Sequence, residues 1–126
     1  MASGAIGRRK WAIADGYIPA WSHGPEPEML SHEACCILNT AAADAEVEIT
    51  LYFEDRDPVG PYRFTVPARR TSHLRFNQFE DPEPIPLGVG YAAVVVSSIP
   101  VVVQQTRLDS RQSENGLFST MAFPLD

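Results

Sequence analysis

The sequence predicts an all-β fold: one domain of short antiparallel strands, stacked as a sandwich or closed as a barrel. Three observations predict it. Apolar and polar residues alternate with period two in one segment after another, the helical period is missing throughout, and eleven prolines and eight glycines interrupt the chain at hairpin spacing. With 126 residues, 44% of them hydrophobic and 21% charged, the chain can bury a core without a disulfide or a structural metal. Residues 1–126 are read as a single domain without repeats.

The first strand is expected over RKWAIA, 9–14, with Trp11 and Ile13 on the core side. EACCILN, 33–39, is the second; its adjacent Cys35 and Cys36 point to opposite faces and are expected to be reduced packing residues. The clearest alternation is AEVEITLYFED, with Val47, Ile49, Leu51 and Phe53 inward and Glu46, Glu48, Thr50 and Tyr52 outward. The turn chemistry of DRDPVGP follows, then PYRFTVP with Tyr62, Phe64 and Val66 inward, so the pair reads as a hairpin with Glu46 and Glu48 facing Arg63. Further strands are expected at 71–76, 91–98, 101–108 and 117–123. Val94–Val96 and Val101–Val103 are apolar on both faces, which marks strands covered on both sides or buried in a subunit contact. Two Pro-rich stretches, 15–32 and 77–90, are too long to be turns and are expected to rim a site or to cover sheet edges with Tyr17, Trp21 and Phe79 as plugs.

Several function classes recede on composition. The N-terminal residues have no apolar stretch of signal-peptide length and no apolar run approaches the ~20 residues of a membrane span, so the cytoplasm is the expected compartment, without membrane insertion. A formal net charge of −6 repels phosphate backbones, so a nucleic-acid contact would need a local basic patch.

Such a patch exists in VPARRTSHLRF, where Arg69, Arg70, His73 and Arg75 crowd together. On a strand, His73 and Arg75 share one face, and the alternation of QQTRLDSRQSENG brings Arg107, Asp109 and Arg111 toward the same surface. Two guanidinium clusters converging in this way would hold a carboxylate, phosphate or polyol through planar, bidentate hydrogen bonds. The competing expectation pairs these arginines with Glu33, Glu46, Glu48 and Asp109 in a structural network at a subunit interface. A second group, His23, Glu26, Glu28, His32, Glu33 and His73, contains the ligand types of zinc or iron, but no HxH, HExxH or CxxC pairing fixes two ligands on one element. His32 and Glu33 are expected to hydrogen-bond into the arginine network instead. No nucleophile elbow, phosphate loop or carboxylate dyad is evident, so no catalytic residue, metal ligand or cofactor is assigned. Among the aromatics, Trp21 in its Pro-rich stretch is the better candidate for a binding surface, and Trp11 for the core.

The segments WAIADGYIP, GPEP, SHEACCILN, VEITLYF, DPVGPYRFTVPARRTSHLRFN, PIP, VVVQQTRLDSRQSEN and LFSTMAF, in that order, resemble the soluble transducers of cyanobacterial sensory rhodopsin. The resemblance implies an antiparallel, jelly-roll-like β-sandwich that assembles as a cyclic homotetramer, is not an enzyme, and meets the cytoplasmic side of a sensory rhodopsin. It also implies a carbohydrate-binding candidate: a small sugar-like ligand, or a ligand-binding module working without any rhodopsin. Glu26, His32, Glu33, Arg69, Arg70, His73, Arg75, Arg107, Asp109 and Arg111 correspond to the family's motif residues and are the candidates for a polar site or interface.

Overall fold

Alternating segments settle as extended chain because period two sends every second side chain into one apolar layer while the intervening ones stay wet. The computed structural model describes residues 3–26 and 29–125. Its strands are β1 (Arg8–Tyr17), β2 (His32–Asn39), β3 (Ala45–Tyr52), β4 (Val59–Val66), β5 (Arg70–Arg75), β6 (Gly90–Asp109), β7 (Gly116–Met121) and β8 (Phe123–Leu125), with a 3₁₀ turn at Phe76–Gln78. All the pairings are antiparallel.

β6 organises everything else. Its 20 residues run through two sheet portions, β4-β3-β6-β1-β8 through its first half and β5-β2-β6-β7 through its second. The segments 91–98 and 101–108, expected as separate strands, are therefore one. Pro100, which reads as a break, sits at the handover: β3 stops pairing at Ser97 and β2 starts at Val102, so the missing proline N–H falls between ladders. The opposite correction applies at 117–123, which is two strands, β7 and β8, separated by buried Ala122. β1 also runs farther than 9–14. It takes Asp15–Tyr17 out of the expected loop after a register shift between Ile13 and Gly16.

One apolar cluster draws on both portions, with Val47, Ile49, Tyr62 and Val95 from the first and Cys35, Ile37 and Val103 from the second. Trp11 is in it, its indole N–H donating to the carbonyls of Arg8 and Val101 at 3.0 and 3.1 Å. Phe79 plugs the cluster as expected, its ring 4.7–5.2 Å from those of Tyr62, Phe64 and Phe76. Gly16 is required where it stands, because a Cβ there would lie 2.3 Å from the Tyr91 ring. On the wet face of the β3–β4 hairpin, Arg63 Nε donates to Glu48 at 3.0 Å, whereas Glu46 stands opposite Thr65 and accepts from its hydroxyl at 2.8 Å. The expected cover over both faces of the valine runs is absent from the single chain, where Val96 remains exposed and Val94 and Val102 half-buried. Among the described residues no helix is long and apolar enough to cross a membrane.

Candidate functional site: an arginine and aromatic ladder over a buried glutamate

Glu33 lies in the inward phase of β2 with Cys35 and Ile37, and its side chain is 0% exposed. A carboxylate there needs donors, and the two flanking strands β1 and β6 supply them. Its Oε2 accepts the Tyr17 backbone N–H from β1 at 3.1 Å and Arg107 Nε from β6 at 2.8 Å; its Oε1 accepts Gln105 Nε2 at 2.5 Å. Asn77 Oδ1 in turn accepts the Glu33 backbone N–H at 3.2 Å. Burial pushes the Glu33 carboxyl above the ordinary carboxylate range, and Arg107, the Tyr17 N–H and Gln105 offset that push only in part. Tyr91 packs close by with its hydroxyl buried and unpartnered, and burial first, then the charge of Glu33, raise its phenol.

Above this network the arginines alternate with rings. The Arg107 guanidinium lies 5.2 Å from the centre of Phe118 and 5.9 Å from that of Tyr17; Arg111 lies 5.5 Å from Tyr17 and 5.4 Å from Trp21. The result is a continuous ladder, Phe118–Arg107–Tyr17–Arg111–Trp21, built from β7, β6, the end of β1 and the two segments that follow β6 and β1. Carboxylates hold both cations in place. Arg111 donates through Nε and Nη2 to the two oxygens of Asp109 at 2.9 and 2.6 Å, and Arg107, held by the Glu33 carboxylate, also donates from Nη2 to the Asp15 backbone carbonyl at 3.0 Å. The fork from Arg111 holds Asp109 below its ordinary range. Buried Ser31 fastens the Trp21 segment, donating from Oγ to the Trp21 carbonyl at 2.9 Å and accepting the Ser110 N–H at 2.9 Å. Trp21 is nevertheless 60% exposed and borders two open clefts: one of about 530 Å³ with Asp109, Arg111 and Glu114, and one of about 380 Å³ with Glu26 and Leu87.

The candidate residues therefore divide. Glu33, Arg107, Asp109 and Arg111 come together, and Glu26 lines the neighbouring cleft. His32 sits half-buried at the start of β2, its Nδ1 2.9 Å from the Leu30 carbonyl and outside the arginine network it was expected to join. The two arginine clusters do not converge. Arg107 stands opposite Glu33 in register and shares the inward phase, whereas Arg75 and His73 stand opposite Ala34 and Cys36 and share the outward phase, so the sheet lies between them. Arg69 and Arg70 are exposed at the turn entering β5, where Arg69 adopts a left-handed φ of 56°. Among the described residues no three of His, Cys, Asp and Glu gather as a metal site; Glu28, part of the histidine and glutamate group, lies outside the described residues. Sequence reasoning missed Phe118, Asp15 and Gln105. For Gln105 a signal existed: it occupies the inward phase of β6 between Val103 and Arg107, where a polar side chain must find a buried partner.

A family model described as the Anabaena sensory rhodopsin transducer matches residues 6–124, spanning both the ladder and the core. The chain belongs to that transducer family. The solved structure of the Anabaena sensory rhodopsin transducer is similar to it at 61% identity and a TM-score of 0.76, covering 87% of this chain and 96% of that one. The crystal structure of Thermotoga maritima 1070 is similar at 34% identity and a TM-score of 0.85, covering 94% of this chain and 96% of that one. The course of the backbone is thus kept at 34% identity, where most side chains differ. No curated protein matches the chain.

Proposed function

We propose that the protein is a non-enzymatic cytoplasmic signalling adaptor. As a single-domain jelly-roll-like sandwich assembled into a cyclic homotetramer, it receives a signal at the cytoplasmic face of a sensory rhodopsin. The observation that carries this reading is membership of the transducer family across residues 6–124, supported by 61% identity to the Anabaena transducer. The exposed Leu38, Val96, Leu117 and Met121 on the outer faces of the strands support self-assembly, since their burial against other copies would supply the cover that the valine runs lack. Within this reading the β5 group, Arg69, Arg70, His73 and Arg75, belongs to an interface, while Glu33, Arg107, Asp109 and Arg111 shape the surface around Trp21. The test is co-elution with detergent-solubilised Anabaena sensory rhodopsin, with the mass of the adaptor alone measured by sedimentation. A four-chain species that joins the receptor supports the proposal, and a monomer that elutes apart from it overturns it.

One observation favours a second reading, a small-molecule-binding module without a rhodopsin. An exposed indole beside the planar Arg111–Asp109 pair, over an open cleft, resembles a platform for a sugar-like ligand. Calorimetric titration with neutral sugars and sugar acids separates the two: saturable heat without receptor binding would favour the module.

A further inference from the structure

The ladder ends unevenly. Its inner rungs are cations held between rings, but its last member, Trp21, contacts Arg111 and is otherwise largely open to solvent, bordering a second cleft beyond the first. An aromatic ring at the end of such a stack leaves a place for one more cation.

The charges around that place select the same chemistry. The two clefts are lined by three carboxylates, Glu26, Asp109 and Glu114, against a single guanidinium, Arg111. The charge of Arg111 is already matched by Asp109 through a two-bond fork, so it adds little net attraction for an incoming anion. Among the described residues, neither Glu26 nor Glu114 has a cationic partner within salt-bridge distance. An anionic ligand such as a sugar acid would meet a carboxylate without a cationic partner in either cleft, whereas a cation would be met there by that carboxylate and by the indole. The chain as a whole, at −6, adds to the same field.

We propose that Trp21 and its flanking carboxylates form the docking site for an arginine-bearing basic segment of a protein partner, one guanidinium stacking on the indole as the next rung and donating to Glu26 or Glu114. This inference rests on the adaptor reading, which supplies the partner: cytoplasmic segments of membrane receptors are enriched in arginine and lysine, and an acidic adaptor complements them. Arginine suits the site better than lysine because its planar fork can stack and hydrogen-bond at once. Occupancy would reach the protein interior through Arg111, Tyr17 and Arg107 to the Glu33 network.

The test uses fluorescence anisotropy of a labelled heptapeptide of alternating glycine and arginine, with the lysine and glutamate versions as controls, on the full chain. The wild type is expected to bind the arginine peptide best, the lysine peptide more weakly and the glutamate peptide not at all, with affinity falling as salt rises. Trp21→Ala should weaken arginine-peptide binding about three- to tenfold, as expected for one exposed cation–π contact. The double variant Glu26→Gln, Glu114→Gln should weaken it and flatten the salt dependence. Because Trp21 is exposed, unchanged far-UV circular dichroism should accompany its loss. Equal binding by wild type and Trp21→Ala, or no preference for arginine over glutamate, overturns the proposal, as does saturable binding of glucuronate in place of the peptide. If Trp21→Ala still captures sensory rhodopsin as the wild type does, the adaptor reading stands and this surface is wrong. If the arginine peptide binds as described and no rhodopsin is captured, the surface stands and its partner is another protein.

Discussion

Replacing Arg107 by methionine keeps most of the side-chain volume between Phe118 and Tyr17 but removes, among the described residues, the only cation within salt-bridge distance of Glu33. Glu33, 0% exposed, is left with two neutral donors, the Tyr17 N–H and Gln105. Leaving a buried carboxylate without its cation typically costs about 3–5 kcal/mol. Protonation sets a ceiling on that loss. Starting from the ordinary value of 4.5, holding Glu33 neutral at pH 7 costs about 1.4 kcal/mol per pH unit over about 2.5 units, or about 3.4 kcal/mol. The folded-state pKa of Glu33 is raised, and more so without Arg107. Its contribution is therefore most favourable below the unfolded value and is lost as pH climbs toward the folded one. Urea denaturation at fixed protein concentration should show Arg107→Met about 3 kcal/mol less stable than wild type at pH 7, the difference narrowing to about 1 kcal/mol at pH 5. A loss under about 1 kcal/mol at pH 7, or the same loss at both pH values, would refute the argument that an uncompensated carboxylate is what the variant creates.

Three further outcomes follow from the core. Tyr91→Phe removes a buried hydroxyl that has no partner and should leave stability unchanged or raise it by about 1 kcal/mol; a marked loss in the same urea assay would mean that the hydroxyl is bonded. Asn39→Ala removes a buried amide that donates to the carbonyls of Ala43, Val66 and Pro67 and accepts the Ala41 N–H; it should cost about 1–3 kcal/mol, and a neutral result would contradict that reading. The Cys35 thiol is pushed up to about 12 by burial and then by its neighbour Cys36, so a thiol reagent should titrate one cysteine per native chain and two in denaturant, the native reactivity vanishing in Cys36→Ser.

The strands were legible because period two survives in β2, β3 and β4, where an apolar side chain at every second position dictates both the face and the hairpin. Their limits were less so. A proline in the sequence signals a break, yet at Pro100 the sheet changes partners and no ladder bond is lost; that depends on which strands lie beside β6, a long-range fact. The same holds for the site. Arg107 and Arg75 each looked like part of one basic surface, but which side of a sheet an arginine takes is set by register, and a shift of one residue would have reversed it. Glu33 carried a clearer mark: a charge in the inward phase of an apolar strand must be paired, and Arg107 was among the candidate partners. The ladder could not be read from sequence, since its five members come from three strands and the two segments that follow β1 and β6, which only the folded chain brings together.

An adaptor carries a light signal only if it distinguishes the two states of its receptor, because binding both equally well shifts nothing. The most direct measurement is therefore the affinity of the purified protein for detergent-solubilised Anabaena sensory rhodopsin in the dark and under illumination. The account predicts saturable binding with affinities differing by about fivefold or more, the scale of an ordinary coupling between sites. Identical affinities in the two states, or no binding in either, would contradict it.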